Sequence, residues 1–203
     1  RAIDEDGRYL YFSEGIGSGQ GGRPTADGLN VIYFRDQRNY PIEFEEGEFP
    51  LRVERYAIRP DSGGPGYYRG GCGVVREVKV LVDCTMSTRM DNVRFPSFGN
   101  NGGKAGQPGR LILNPGTPDE RELPPAGENI PVKAGDLLRV ETSGGGGWGD
   151  PFTREAQEVR RDVLEGFVSL EAARDGYGVT MHPDTLEIDW SATEALRAER
   201  KSS

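Results

Sequence analysis

A run of four glycines, Gly144 to Gly147, ahead of Trp148 is the most unusual candidate for chemistry in this sequence. Consecutive glycines can take positive φ angles and turn several backbone N–H groups toward one point, which builds an anion-binding nest. The alternative is structural, because a glycine run also lets another stretch of backbone pack closely against it. The candidates for binding a phosphate or substrate anion are Gly144, Gly145, Gly146 and Gly147.

A second candidate is the glycine-rich turn from Asp61 to Arg69, which carries a carboxylate, the hydroxyl of Ser62 and a guanidinium. Arginine can bind a carboxylate or phosphate through two parallel N–H bonds. The alternative is that Arg69 pairs with Asp61 across the turn as an ordinary ion pair. The turn therefore adds Asp61, Ser62 and Arg69 to the substrate-binding or phosphate-binding candidates, and no residue is assigned a catalytic role.

Carboxylates are concentrated between residues 43 and 48, where four of six residues are glutamate. On an extended chain Glu43 and Glu45 point the same way, and acid–base work by such a pair would require burial to separate the two pKa values. Otherwise the run is a solvated charged surface. The glycine spacing of residues 17–22 matches a dinucleotide-binding fingerprint, but a turn rather than a helix follows, so the match is accidental.

The counts of histidine and cysteine argue against a metal held by this chain. A zinc site needs three or four ligands, and the sequence offers His182, Cys72 and Cys84 at unrelated spacings. We expect His182 to be a surface residue, and two cysteines favour a reducing cytosol over a disulfide scaffold. The net charge of −8 argues against a nucleic-acid partner, and no apolar run approaches the 20 residues of a membrane span.

Glycine windows alternate with strand patterns along the first 150 residues. The windows 13–22, 61–73, 99–109 and 143–149 hold 21 of the 30 glycines. Strands are predicted over residues 8–12, 29–34, 51–58, 74–82, 85–93, 110–113 and 137–141, with a short one at 121–123 inside a surface loop over 115–131. We predict a β domain with ordered glycine corners rather than disorder.

After residue 151 apolar residues recur at helical spacing. Thr153 and Ser169 are candidate helix caps, and Ser191 with Glu194 forms a capping box for a last helix. The predicted fold class is α+β and mainly β. It has a glycine-rich antiparallel or mixed β domain over residues 1–150 and a helical C-terminal segment over residues 151–203.

Five motifs occur in order: Asn39-x-Pro-Ile-Glu43, Arg59 to Glu77, Lys133 to Val140, Gly144 to Pro151 and Val163 to Val179. Together they resemble the hydantoinase B/5-oxoprolinase family, whose relatives include subunits of acetone and acetophenone carboxylases. The resemblance covers residues 13–181 and only the C-terminal part of a family B subunit. It implies that this chain docks onto the N-terminal part of a B subunit, and that strand edges left open by the division favour such pairing.

The resemblance also implies the reaction. In the family an ATPase partner, the hydantoinase A-type subunit, uses ATP with Mg to phosphorylate an amide or ketone oxygen, and the B subunit completes the reaction. A divalent metal such as Zn or Mn belongs to the N-terminal part that this chain lacks. The expected activity is ATP-dependent hydrolysis of a cyclic amide such as a hydantoin, 5-oxoproline or a lactam, in a cytoplasmic hetero-oligomer that acts on a small-molecule substrate.

Two alternatives remain open. The chain resembles subunits of ATP-dependent ketone carboxylases as well, and nothing in these residues separates the two reactions. The other alternative is a non-catalytic module that completes the fold of a partner. We expect Gly145→Val to abolish turnover without preventing assembly if the glycine run binds substrate, whereas a structural module would lose stability instead.

Overall fold

The computed structural model describes residues 1–3, 7–33 and 38–201, and these ranges contain nine strands and four α-helices. The strands are β1 (Ala2–Ile3), β2 (Tyr9–Leu10), β3 (Leu51–Ile58), β4 (Val74–Val80), β5 (Cys84–Arg89), β6 (Arg110–Leu113), β7 (Arg121–Glu122), β8 (Ala126–Val132) and β9 (Leu137–Glu141). The helices are α1 (Ile42–Glu48), α2 (Ala156–Leu164), α3 (Leu170–Tyr177) and α4 (Trp190–Lys201). None of these helices is both long enough and apolar enough to cross a bilayer.

The largest sheet has five strands in the order β3-β4-β9-β6-β7, and every neighbouring pair is antiparallel. Strands β5 and β8 form a separate antiparallel pair, as do β1 and β2. One apolar core joins the five-stranded sheet to the β5–β8 pair through Leu111, Leu113, Leu123 and Val132. The α+β, mainly-β fold class is thereby confirmed, with helices α2 to α4 following the β region.

The helical segment has its own core, in which α2 contributes Ala156 and Val159 and α3 contributes Ala173 and Tyr177. The cap predicted at Ser169 is confirmed, because its Oγ accepts the N–H of Ala172 at 3.0 Å. The other two caps differ from the prediction. Helix α2 begins after Glu155 without a side-chain cap, and the cap of α4 is Asp189 rather than Ser191.

Three segments of the β region differ from the sequence prediction. Residues 29–33 form a turn instead of a strand, with Val31 at a φ of 49° and Ile32 in an isolated bridge to Ser18, and Phe34 lies outside the described residues. The carboxylate-rich stretch is the helix α1 rather than an extended chain. The predicted surface loop contains β8, which places Pro131 opposite Thr85 in a two-stranded pair.

Candidate functional site

The run Gly144–Gly147 lies buried at the centre of the β region, where all four glycine windows meet. The amide of Gly144 donates to Gln107 and that of Gly147 donates to Lys104, both in the third window. Between them the amide of Gly145 donates to Gly71 in the second window. On the carbonyl side, Gly146 accepts the amide of Gly22 and Gly145 accepts that of Gly64, each at 2.8 Å.

The direction that each glycine of the run faces repeats every three residues. A Cβ added to Gly144 would meet the carbonyl of Ser62, and one added to Gly147 would meet that of Pro65, so these two glycines face the same segment. Gly145 and Gly146 face two other segments. Three residues per turn is the period of the polyproline II helix, which makes no internal hydrogen bonds and is free to bond to neighbouring chains. The run is therefore a central segment outside the named strands, and it is bonded to three glycine-rich neighbours.

This packing explains why the positions are glycine. An added Cβ would lie 1.7 Å from the Ser62 oxygen at Gly144 and 2.0 Å from the Gln20 oxygen at Gly145. At Gly146 it would lie 1.9 Å from the oxygen of Phe98. The opposing atoms are backbone, which no side-chain rotation can move away. As in the axis of collagen, only glycine fits where backbones approach this closely.

The anion-binding arrangement expected of the run is not what the structure shows. None of the four glycines has a φ in the left-handed region, and Gly149 is the glycine of this window that does. Three of the four amides already donate to carbonyl oxygens, so they do not point together at an open site. The effect of Gly145→Val on assembly stays a prediction, and the clash of its side chain with the backbone of Gln20 leads us to expect a loss of stability as well.

Asp61 and Ser62 are engaged in local hydrogen bonds. The Oδ1 atom of Asp61 accepts the N–H of Ser169 at 2.7 Å, which fixes the start of α3 against the turn. The hydroxyl of Ser62 donates to the carbonyl of Arg59 at 2.6 Å and accepts the N–H of Gly73 at 3.0 Å. Ser62 is fully buried. Both side chains connect backbone segments, and the structure brings neither to a cavity.

Arg69 does not pair with Asp61. Its buried guanidinium lies 3.1 Å from Asp162 of α2 and also donates to the carbonyl of Gly70 and to Asn30. The ring of Phe167 lies 4.8 Å from the guanidinium carbon. Arg69 therefore links the glycine windows to the helical segment, through bonds from its Nε and Nη1 atoms.

The partner of Asp162 was not identified from the sequence. Arg154 is 4% exposed and donates to Asp27 through two nitrogens, at 2.7 and 2.8 Å, and to Asp162 at 2.9 Å. We call Asp27, Arg69, Arg154 and Asp162 the buried ion network. Its two arginines and two aspartates balance in charge. A sequence carries no signal for it, because 127 residues separate Asp27 from Arg154.

The two aspartates of this network respond differently to burial. Burial would raise the pKa of Asp27, but hydrogen bonds from Arg154 and from the Arg69 amide outweigh it, and that pKa is lowered. In Asp162 the stronger desolvation dominates and raises the pKa, with the two guanidinium groups opposing it. Burial likewise raises the pKa of the Cys72 thiol, which lies beside Arg69. Both cysteines are free thiols.

Two surface cavities lie away from the residues predicted to bind substrate or phosphate. One of 420 Å³ is lined by Phe152, Arg197 and Arg200 at the helical segment. A smaller one of 160 Å³ lies over Asp27 and Arg154. Neither cavity is lined by the glycine run or by the turn residues predicted to bind substrate.

The described residues offer scattered candidates for metal ligands rather than a cluster. No group of three or more His, Cys, Asp or Glu side chains there is arranged to hold an ion. His182 is exposed, and its backbone N–H donates to Glu187. The divalent metal that the family resemblance implies therefore does not fit the described residues of this chain.

Comparison with known proteins gives three close relationships. The putative B subunit of a D-/L-hydantoinase from Pseudomonas sp. (strain NS671) is 36% identical over 93% of this chain, which spans 32% of that protein. The structure of an ATP-dependent caprolactamase from Pseudomonas jessenii superimposes with a TM-score of 0.76 at 27% identity, covering 90% of this chain and 33% of that one. Nucleotide-free acetone carboxylase gives a TM-score of 0.77 at 26% identity, covering 92% of this chain and 30% of that one.

The chain thus spans about a third of the length of these relatives, and its fold is the fold of the matching third. A profile of the hydantoinase B/oxoprolinase family matches residues 1–151, which include the five-stranded sheet and all four glycine windows. The helical segment after residue 151 is shared with the hydantoinase relative, because that alignment extends over 190 residues. This chain belongs to the hydantoinase B/oxoprolinase family.

Proposed function

We propose that this chain is part of an ATP-dependent cyclic amide hydrolase of the hydantoinase, 5-oxoprolinase or lactamase type. The observation that supports it best is the 36% identity to a hydantoinase B-type chain over 93% of the sequence. The similarity to an ATP-dependent caprolactamase points the same way, because caprolactam is also a cyclic amide. The enzyme is a cytoplasmic hetero-oligomer in which the chain acts together with the rest of a B subunit and an A-type ATPase.

In this proposal the partner ATPase phosphorylates the amide oxygen with ATP and Mg, which turns a poor electrophile into one that water attacks. Negative charge then develops at the reacting centre and requires hydrogen-bond donors. The amides of Gly144, Gly145 and Gly147 are not among those donors, since each is bonded to a carbonyl. The donors, and a divalent metal such as Zn or Mn, belong to the rest of the B subunit.

The contribution of this chain is therefore a rigid frame behind the reacting groups. Backbone bonds from the glycine run hold the glycine windows together, and the charged pairs of the buried ion network join them to the helical segment. Catalytic groups must be held within a fraction of an ångström, and a frame of fixed backbone bonds provides that. In this proposal the chain is a subunit of an enzyme whose own role is structural.

The second candidate function is ATP-dependent carboxylation of a ketone. It is favoured by one observation, the TM-score of 0.77 with acetone carboxylase. Both reactions begin with phosphorylation of a carbonyl oxygen. In hydrolysis water then attacks the activated carbon, whereas in carboxylation the ketone loses an α-proton, its enol carbon attacks the carbon of CO2, and phosphate is released. The frame described above suits either reaction equally, so substrate tests must separate them.

The test uses the native complex, isolated through a tag on this chain and weighed by native mass spectrometry. The proposal predicts an ATPase subunit and further B-type sequence in the complex, with ADP release and ring opening on adding hydantoin, 5-oxoproline or caprolactam. Acetamide, an acyclic amide, is the matched control and should release no ADP above the substrate-free rate. ADP release with acetone and bicarbonate alone would favour the carboxylase, and no response to any of these substrates would contradict both.

A further inference from the structure

Helix α1, strand β4 and the segment around Glu14 meet at a second cluster of buried charges. Glu45 of α1 is completely buried, and Arg76 of β4 has 1% of its side chain exposed. Glu14 retains 10% exposure and is the member of the group nearest the solvent. This cluster has no residue in common with the buried ion network.

Arg76 holds both carboxylates at once. One terminal nitrogen of its guanidinium donates to Glu14 and the other to Glu45. Because both are bound to the same guanidinium, the two carboxyl groups are close neighbours. Bonds to one guanidinium therefore bring together three segments that lie 31 and 62 residues apart along the chain.

Within the part of the chain that the structure describes, two tyrosines face this cluster from neighbouring segments. The ring of Tyr56 of β3 lies 5.1 Å from the guanidinium carbon of Arg76, and its hydroxyl accepts a bond from Asn39. The hydroxyl of Tyr33 donates to the carbonyl of Gly15, next to Glu14. Burial, and after it the nearby Tyr56 and Glu14, raise the pKa of Tyr33, so the hydroxyl of Tyr33 adds no charge to the cluster at neutral pH.

The charges of the cluster do not balance when both acids are ionised. Two carboxylates face one guanidinium, which leaves one negative charge uncompensated in a buried place, and such a charge is costly. Moreover, the Oε1 atom of Glu45 is buried and has no hydrogen-bond partner. A proton held on the neighbouring carboxyl would remove the extra charge and donate to such an acceptor.

We propose that Glu14 carries a proton near neutral pH and donates it in a hydrogen bond to Glu45, and that this carboxyl pair with Arg76 is a pH-sensitive latch joining α1 and the Glu14 segment to β4. The direction in which the pKa of Glu14 shifts agrees with this geometry. Burial, opposed by Arg76 and assisted by the charge of Glu45, raises the pKa of Glu14 to about 7. The folded chain thus keeps a proton that the unfolded chain releases at lower pH.

Because the pKa of Glu14 differs between the folded and the unfolded chain, the free energy of unfolding depends on pH. The pKa of Glu14 is 4.5 when unperturbed and about 7 in the folded chain. The stabilisation from this proton is therefore complete below 4.5 and is lost as the pH rises toward and through 7. Above that pH the two carboxylates repel each other, and α1 is held only by its remaining contacts.

The test compares thermal unfolding of the full 203-residue chain between pH 5 and pH 8.5. The midpoint should fall by about 5 °C or more on this rise for the native chain. In Glu14→Gln the fall should be much smaller, because the amide donates as the protonated acid does and cannot ionise. The control is Glu128→Gln, which removes an exposed carboxylate paired with Arg89 and should keep the native pH dependence.

A second measurement keeps the proposal testable if Glu14→Gln fails to fold. Carbon-13 NMR of the glutamate carboxyls in the native chain should show one group titrating near pH 7, and that midpoint should fall in Glu45→Gln. Hydrogen exchange of the α1 amides, corrected for the intrinsic rate, should speed up above that pH. The proposal is overturned if every glutamate titrates below pH 5.5, or if Glu14→Gln folds and keeps the native pH dependence.

Discussion

At the residue scale, the glycine run shows how a single methyl group can be excluded by backbone alone. A Cβ at Gly145 would lie 2.0 Å from the carbonyl oxygen of Gln20, which is itself bonded to the amide of Gly71. Gly47 of α1 offers the opposite case, because nothing lies within 4 Å of its added Cβ. Comparing substitutions at these two glycines therefore distinguishes the effect of close backbone packing from the effect of glycine's conformational freedom.

We predict that Gly145→Ala lowers the free energy of unfolding by at least about 3 kcal/mol, because the backbone around Gln20 must move to admit the methyl group. The matched control Gly47→Ala should leave stability unchanged or raise it by about 0.5–1 kcal/mol, as expected in a helix. Urea denaturation followed by circular dichroism measures both. Equal stability of the two variants would show that the glycine run is not closely packed.

The buried ion network gives a second prediction at this scale. Asp162→Asn keeps the shape of the side chain but leaves Arg69 and Arg154 without one of their carboxylates, at a cost of about 3–5 kcal/mol. Glu158→Gln on the same helix removes an exposed pair with Arg161 and should cost less than about 1 kcal/mol. A loss for Asp162→Asn no greater than that of Glu158→Gln, in the same urea assay, would rule out a structural role for the network.

The sequence identified the residue types of this site but not their partners. Arg69 was expected either to bind an anion or to pair with Asp61, eight residues away. Its partner is Asp162, 93 residues further along the chain. Local spacing predicts contacts within a turn or a helix, whereas this ion pair forms only after the helical segment has packed onto the β region.

At the element scale, the start of α4 offers a direct comparison of two caps. The sequence pattern favoured Ser191, but the helix begins at Trp190 and the Oδ1 atom of Asp189 accepts the amide of Ala192 at 3.0 Å. We predict that Asp189→Ala lowers the free energy of unfolding by about 1 kcal/mol. Ser191→Ala should change it by less than about 0.5 kcal/mol. Thermal unfolding of the two variants decides between the caps, and a larger loss in Ser191→Ala would contradict the observed helix start.

Strands rich in apolar and β-branched residues were predictable, and the exceptions have physical causes. Residues 51–58 and 137–141 form β3 and β9 with the predicted bounds. Val31 was placed in a strand for its β-branched side chain, yet tertiary contacts hold it at a φ of 49°. Strand β8 was missed because Pro131 argues against a central strand, and a two-stranded pair tolerates it.

At the scale of the whole molecule, the four glycine windows meet and form the centre of the β region. The sequence showed that glycine is clustered and that the clusters are ordered, but not that all four clusters meet. That convergence depends on hydrogen bonds between segments up to 124 residues apart, such as Gly19 to Ser143. The buried ion network then joins these windows to the helical segment, and this frame is the role that we assign to the chain within the proposed enzyme.

The most direct test of this frame is hydrogen exchange at the amides of Gly144, Gly145 and Gly147, followed by NMR with and without inorganic phosphate. If these amides are bonded to carbonyls at the centre of the fold, they should be among the slowest to exchange and phosphate should not change their rates. Fast exchange that slows when phosphate is added would show an open anion-binding nest and contradict the frame.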